Sequence, residues 1–166
     1  MFWLSEHDPH VALADAAVVL VHEALVGDRV LAVHRREKPS QRCLPGGKVN
    51  AGESPRVAAC RELREETGLE LAERDLIFLG AVELVIGAGI PPIVALFEAP
   101  RGCGYVPSAT EREPELRPHW ARLVDLCDVQ RNGDFAESAR FAADMLRLRG
   151  ARPAGICQGG RAWGGS

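Results

Sequence analysis

Three glutamates carry the first chemical signal in this chain, because Glu62, Glu65 and Glu66 stand at i, i+3 and i+4. On a helix that spacing places them on one face, with adjacent Cβ atoms about 5–6 Å apart. On an open surface such crowding costs only a few tenths of a kcal/mol per pair. In a cleft with an effective dielectric near 20 it rises to about 3 kcal/mol, and a hard divalent cation would relieve it. Oxygen donors without a Cys or His cluster suit Mg²⁺ or Mn²⁺ rather than Zn²⁺. The alternative is a solvated acidic face paired with Arg61 and Arg64. Favouring the cation is the Pro45-Gly46-Gly47 turn just upstream, where a backbone carbonyl can face the same ion and glycine admits a phosphate closely. A basic cluster, Arg35, Arg36, Lys38, Arg42 and Lys48, offset only by Glu37, precedes this segment. Arg35, Arg36, Arg42 and Lys48 are candidates to hold phosphates, against ordinary solvated loop charge for any single member.

These side chains need elements to position them. Ser54-Pro55 opens the clearest helix: Ser is a favoured N-cap, Pro suits the first helical position, and Gly68 supplies the stop. Val57, Cys60 and Leu63, with Ala59 beside them, predict its apolar face. Upstream, the Val-rich run Ala14 to Ala24, a turn at Gly27-Asp28 and the run Arg29 to His34 predict a β-hairpin. Downstream, Leu76 to Ile86 and Ile93 to Phe97 read as strands joined by an irregular loop at 87–92. Residues 100–118 read as a surface loop, Trp120 to Val124 as a short strand, and Phe135 to Leu148 as a second helix. The apolar stripe of that helix is expected on Phe135, Ala139, Ala142, Met145 and Leu146. Residues 1–149 are expected to form a single domain and 150–166, with six glycines and no acid, a flexible tail.

Residues 47–69, GKVNAGESPRVAACRELREETGL, resemble the Nudix box, G-x5-E-x7-R-E-U-x-E-E-x-G-U, where U is a bulky aliphatic residue. Gly47, Glu53, Arg61, Glu62, Leu63, Glu65, Glu66, Gly68 and Leu69 fill its nine specified positions. The resemblance implies an α/β (α+β) Nudix fold, a mixed β-sheet sandwiched between helices, with the box as loop, helix and loop. It implies a hydrolase that cleaves a nucleoside diphosphate linked to another group, such as a nucleoside triphosphate or a nucleotide sugar. Glu62, Glu65 and Glu66, helped by the carbonyl of Gly46, would hold the metal. Arg61 would orient glutamates, Glu53 and Glu65 among them, and Glu53 would be structural. A general base would come from Glu111, Glu113 or Glu115, with Glu115 taken as the candidate. Pro118 stands where some relatives carry a further Glu. A non-catalytic Nudix-fold nucleotide-binding or regulatory domain is the competing reading, and an isomerase of isoprenoid diphosphates a weaker third. Leu84 to Gly87 contains neither the Pro of many ADP-ribose enzymes nor the Tyr of many dinucleoside polyphosphate enzymes.

Composition narrows the setting. At 166 residues, 46% hydrophobic and 26% charged, the chain can bury a core and is neither disordered nor collagen-like. Its net charge of −3 predicts neither a nucleic-acid polymer nor a membrane surface as partner. Residues 53–75 hold seven acids and four bases, while the other 143 residues hold 16 of each. The excess negative charge therefore lies in the glutamate segment, pointing to a divalent cation bridging to a small anionic nucleotide. Five spaced cysteines without C-x-x-C suggest reduced thiols in a cytoplasm rather than disulfides or zinc. No run approaches the roughly 18 apolar residues of a membrane span, and no basic-then-apolar leader is visible at the N-terminus. Small Nudix enzymes are often dimers, so the resemblance also implies a homodimer as an assembly to test.

Overall fold

Alternating side chains on two neighbouring strands decide the layering. In β1 (Ala16–Leu20), Ala17 and Val19 face one side, whereas Ala16, Val18 and Leu20 face the other. The computed structural model, which describes residues 9–25, 27–84 and 92–150, turns this period of two into a sheet with a core on each face. The remaining strands are β2 (Arg29–His34), β3 (Arg42–Cys43), β4 (Gly46–Lys48), β5 (Ile77–Glu83), β6 (Ile93–Glu98) and β7 (His119–Arg122). The helices are α1 (Pro55–Thr67), α2 (Leu123–Leu126), α3 (Val129–Asn132) and α4 (Ala136–Gly150). A mixed four-stranded sheet runs β4-β1-β6-β5, with β1 parallel to β6 and antiparallel to β4, and a second sheet runs β3-β2-β7. Helix α1 covers one face through Ala58, Ala59 and Leu63 against Ala17, Val19, Ala95 and Phe97. Helix α4 covers the other through Phe141, Ala142 and Met145 against Leu20, Val82 and Leu96. The expected mixed sheet between helices is what the chain forms.

Several local expectations are corrected. The hairpin from the first two strands does not form as a paired ladder. Both edges of β1 are taken, by β4 and β6, so β2 pairs with β3 and β7 instead. The predicted turn survives only beyond β1, where His22 bridges Val30 and Val21 accepts from the Leu31 N–H at 2.9 Å. On α1, the expected Ala59 and Leu63 are buried, but Val57 is 37% exposed and Cys60 half-buried, and Pro55, Ala58, Glu66 and Thr67 complete the buried face. Phe135 precedes α4 in a 3-10 turn and is half-exposed, so it is not part of the buried stripe. The strand predicted to end at Val124 ends at Arg122, and the chain then enters α2. The expected loop at 87–92 falls largely, and the glycine-rich tail beyond Gly150 entirely, outside the described residues.

Among the described residues, Cys43, Cys60, Cys103 and Cys127 are free thiols. No helix there is long and apolar enough to cross a membrane.

Candidate active site

Helix α1 is fixed at both ends by local chemistry. The Ser54 hydroxyl accepts from the Val57 N–H at 3.2 Å, Pro55 occupies the first turn, and Gly68, at φ 74°, ends the helix with its N–H on the Arg64 carbonyl. Arg56 stitches its start to the sheet by donating to the carbonyls of Glu73 and Leu76 while its guanidinium lies 5.1 Å from the Phe97 ring. Docked this way, α1 lays Glu62 and Glu66, one turn apart, over the Gly46-Gly47 segment of β4. A Cβ on Gly47 would come within 2.5 Å of the Glu62 carboxyl, and one on Gly46 within 2.2 Å of the Ala17 carbonyl oxygen. The two glycines therefore leave the space that the Glu62 carboxylate and the adjacent strand occupy.

Glu66 is 7% exposed, and its Oε2 accepts from the Gly46 N–H at 2.8 Å. Burial pushes its carboxyl up to about 8, reinforced by Glu62 and Glu113 and opposed by the Gly46 bond and Arg35. Without a cation beside it, this group holds a proton at neutral pH. Arg61 grips Glu53 with two bonds, Nε to Oε1 at 2.8 Å and Nη2 to Oε2 at 2.9 Å, which hold the Glu53 carboxyl down at about 2. The same guanidinium donates to Glu62 Oε1 at 2.6 Å, to the Lys48 carbonyl at 2.9 Å and, at the long distance of 3.5 Å, to Glu65. The pairing with Glu53 is as the box implies, while the short bond to Glu62 is an addition.

Glu65 stands apart. Its Oε1 accepts from Arg112 Nη1 at 2.9 Å, and its carbonyl accepts from the Thr110 hydroxyl at 3.1 Å. The expected trio is therefore split, with Glu62 and Glu66 on a common cavity and Glu65 turned to the loop. Among the described residues, no three His, Cys, Asp or Glu side chains are drawn together as a metal cluster.

That cavity, of about 270 Å³, is lined by Glu62, Glu66, Glu113, Arg35, Arg36 and Leu116, with Gly46 and Gly47 at its base. It adjoins a second space of about 430 Å³ that shares Arg35, Gly46 and Gly47. The second wall is largely apolar, from Val18, Leu44, Leu84, Val94 and Phe135, with Lys48, Asp134 and Ser138 as polar members. The Arg35 guanidinium stacks on Phe135 at 3.9 Å, placing a cation where the two spaces meet.

The sequence candidates separate accordingly. Arg35, Arg36 and Lys48 line this double cavity, but Arg42 does not; its backbone N–H is held by Asn132 Oδ1 at 3.0 Å. Arg36 pairs with Glu113 at 2.8 Å and Glu115 at 2.9 Å. Glu113, with its side chain 19% exposed, lines the cavity, whereas Glu115, at 42%, does not. Asp134, Phe135 and Ser138 are wall residues that the sequence reading missed. They reach Gly46 only through tertiary packing, so no local spacing marks them.

A family model described as NUDIX domain matches residues 12–86. The chain is 33% identical over 138 residues to the Mycobacterium tuberculosis protein named "Putative 8-oxo-dGTP diphosphatase 2", covering 78% of this chain and 88% of that one. Among solved structures, a Bacillus subtilis pyrophosphohydrolase superposes with a TM-score of 0.63 at 20% identity, covering 90% of this chain and 91% of the other. A C. elegans Ap4A hydrolase gives 0.57 at 21% identity over 82% and 99%. At these identities the superpositions show a shared fold.

Proposed function

Since the chain belongs to the Nudix family of hydrolases, we propose that it is a divalent-cation-dependent pyrophosphohydrolase that cleaves a phosphoanhydride bond of a nucleoside triphosphate. The observation that carries this reading is the buried Glu66 beside Glu62, on a cavity that opens into a mainly apolar one. A negatively charged phosphate chain and a flat base need that pair of neighbouring environments. The oxygen donors Glu62 and Glu66, with the backbone of Gly46, fit a hard cation such as Mg²⁺ or Mn²⁺, because burial and like charge leave Glu66 in want of a positive partner. Glu65 would join them on release from Arg112. When bound, the cation supplies neutralisation of pyrophosphate charge and acidification of water.

The chain's own residues supply the rest. Arg35 and Arg36 hold the phosphates, and Lys48 flanks the adjoining space. Arg61 positions Glu62 by its 2.6 Å bond while Glu53 holds Arg61 in turn. A water oxygen bonds to one phosphorus as the opposite P–O bond breaks, and its proton passes to a carboxylate. We assign that role to Glu113 rather than Glu115, because Glu113 lines the cavity. Asp134 and Ser138 offer an acceptor and a hydroxyl to a base with adjacent N–H donors, as guanine has. The name of the mycobacterial relative puts 8-oxo-dGTP first among substrates to try.

The test is a nucleotide panel with product identification, run with Mg²⁺, with Mn²⁺ and with chelator. Cation-dependent release of pyrophosphate and a nucleoside monophosphate is expected. Tight nucleotide binding without turnover under either metal would instead establish a binding domain, and release from a nucleotide sugar alone would move the substrate class.

A further inference from the structure

We propose that Thr110 is a positioning residue for Glu113, fixing how far the candidate base stands from the carboxylates of α1; the inference rests on Glu113 being the base. The last four carbonyls of a helix have no partner inside it. Two of those in α1 are met from the loop after β6, where the Tyr105 hydroxyl donates to the Thr67 carbonyl at 2.5 Å and the Thr110 hydroxyl to the Glu65 carbonyl at 3.1 Å. A hydroxyl carries one proton and two lone pairs. With its proton directed to the helix, Thr110 Oγ1 accepts from the Glu113 N–H at 3.1 Å. A single oxygen atom therefore joins the helix that bears Glu62 and Glu66 to the backbone of Glu113.

The far side of Glu113 is held too. Its carbonyl accepts from the Leu116 N–H at 3.2 Å, and Leu116 is buried with Val33 and Cys43 of the second sheet. Glu113 thus spans from α1 to that sheet, and Thr110 is its tether on the helix side. The ion pairs nearby are of a different kind. Arg112, with its side chain 68% exposed, holds the Glu65 carboxylate that a cation would claim, and Arg36, 61% exposed, holds Glu113 with the guanidinium that phosphate would claim. Exposed pairs contribute little, and both would exchange partners during turnover. The Thr110 bond ends on the backbone of Glu65, so it persists whichever way that side chain turns. A base must stand within about 2.6–3.2 Å of the proton it takes, and a shift of about 1 Å can cost on the order of 10²-fold.

Steady-state kinetics on the nucleotide that the wild-type protein turns over, and amide hydrogen exchange on the metal-free full chain, test it. Thr110→Val keeps the shape and removes the hydroxyl, whereas Thr110→Ser keeps the hydroxyl. The valine variant is expected to lower kcat about 10-fold or more with KM little changed, and to speed exchange of the Glu113 amide. Serine should restore both. Because Thr110 acts through Glu113, adding Thr110→Val to Glu113→Gln should slow the enzyme by no more than about twofold further. Thr110→Ala removes the same hydroxyl should Thr110→Val fail to fold. With Glu113→Gln slow, a Thr110→Val kcat within about twofold of wild type, no rescue by serine, unchanged exchange at Glu113, or losses that multiply in the double variant would each overturn the proposal. An inactive wild type, or undiminished turnover by Glu113→Gln, would defeat the base assignment itself and this inference with it.

Discussion

At Glu66, burial is set against charge, and the outcome depends on what stands beside it. The side chain is tied to the Gly46 N–H and raised to about 8, while Glu53, in the loop just before α1 and gripped by Arg61, is lowered to about 2. One segment thus holds a carboxyl that keeps its proton and another that never takes one up near neutrality. Glu62 and Glu66 were legible as neighbours from their spacing, because helical period places i and i+4 on one face, but the same spacing did not show that Glu65 turns away to Arg112. The candidate base was not legible. Glu113 and Glu115 sit around a 3-10 turn, Pro114–Leu116, in a loop with no periodicity to say which faces the cavity. Glu113→Gln is therefore expected to lower kcat by about 10²-fold or more, and Glu115→Gln to leave it within about twofold. Steady-state kinetics on the two variants checks the assignment, and the opposite order would return the role to Glu115.

At the scale of elements, α1 was readable end to end, whereas the strands before it were not. Its cap, its proline and its terminal glycine are local signals, and each appears where the sequence put it. Its packing face was less legible: Val57 is more apolar than Ala58, yet Val57 is 37% exposed while Ala58 is buried beside Leu63. Strand partners are chosen by what else competes for an edge, and the edges of β1 went to β4 and β6. The resulting placement of Arg61 makes a sharp prediction. Arg61→Lys keeps the charge but loses the two-pronged grip on Glu53 together with the bond to Glu62. Turnover should fall on the order of 10–100-fold with KM changed far less, and the circular dichroism spectrum should be retained. A rise in KM at constant kcat would instead mean that Arg61 touches substrate.

For the whole molecule, the cation links the chemistry to stability. In the metal-free protein the folded-state pKa of Glu66, about 8, lies above its ordinary 4.5. The group contributes stability that is fully present below pH 4.5 and lost as pH rises through about 8, because the unfolded chain gives up the proton first. A cation that takes the proton's place reverses that trend. The Mg²⁺-induced rise in Tm should therefore be larger at about pH 8.5 than at about pH 6.5, and Glu66→Gln should remove most of the difference. Thermal melts at both pH values decide it, and a rise independent of pH would disqualify Glu66 as a ligand.

The parallel pairing of β1 with β6 also sets an order of events during synthesis. Ala16 pairs with Val94, so 78 residues separate the partners. At roughly 5–20 residues per second the ribosome takes about 4–16 s to deliver the second strand after the first. All of α1, with its glutamates and arginines, emerges within that interval. A nascent chain halted before residue 93 would carry every glutamate of α1 while lacking both Glu113 and the strand against which β1, and through it α1, is seated.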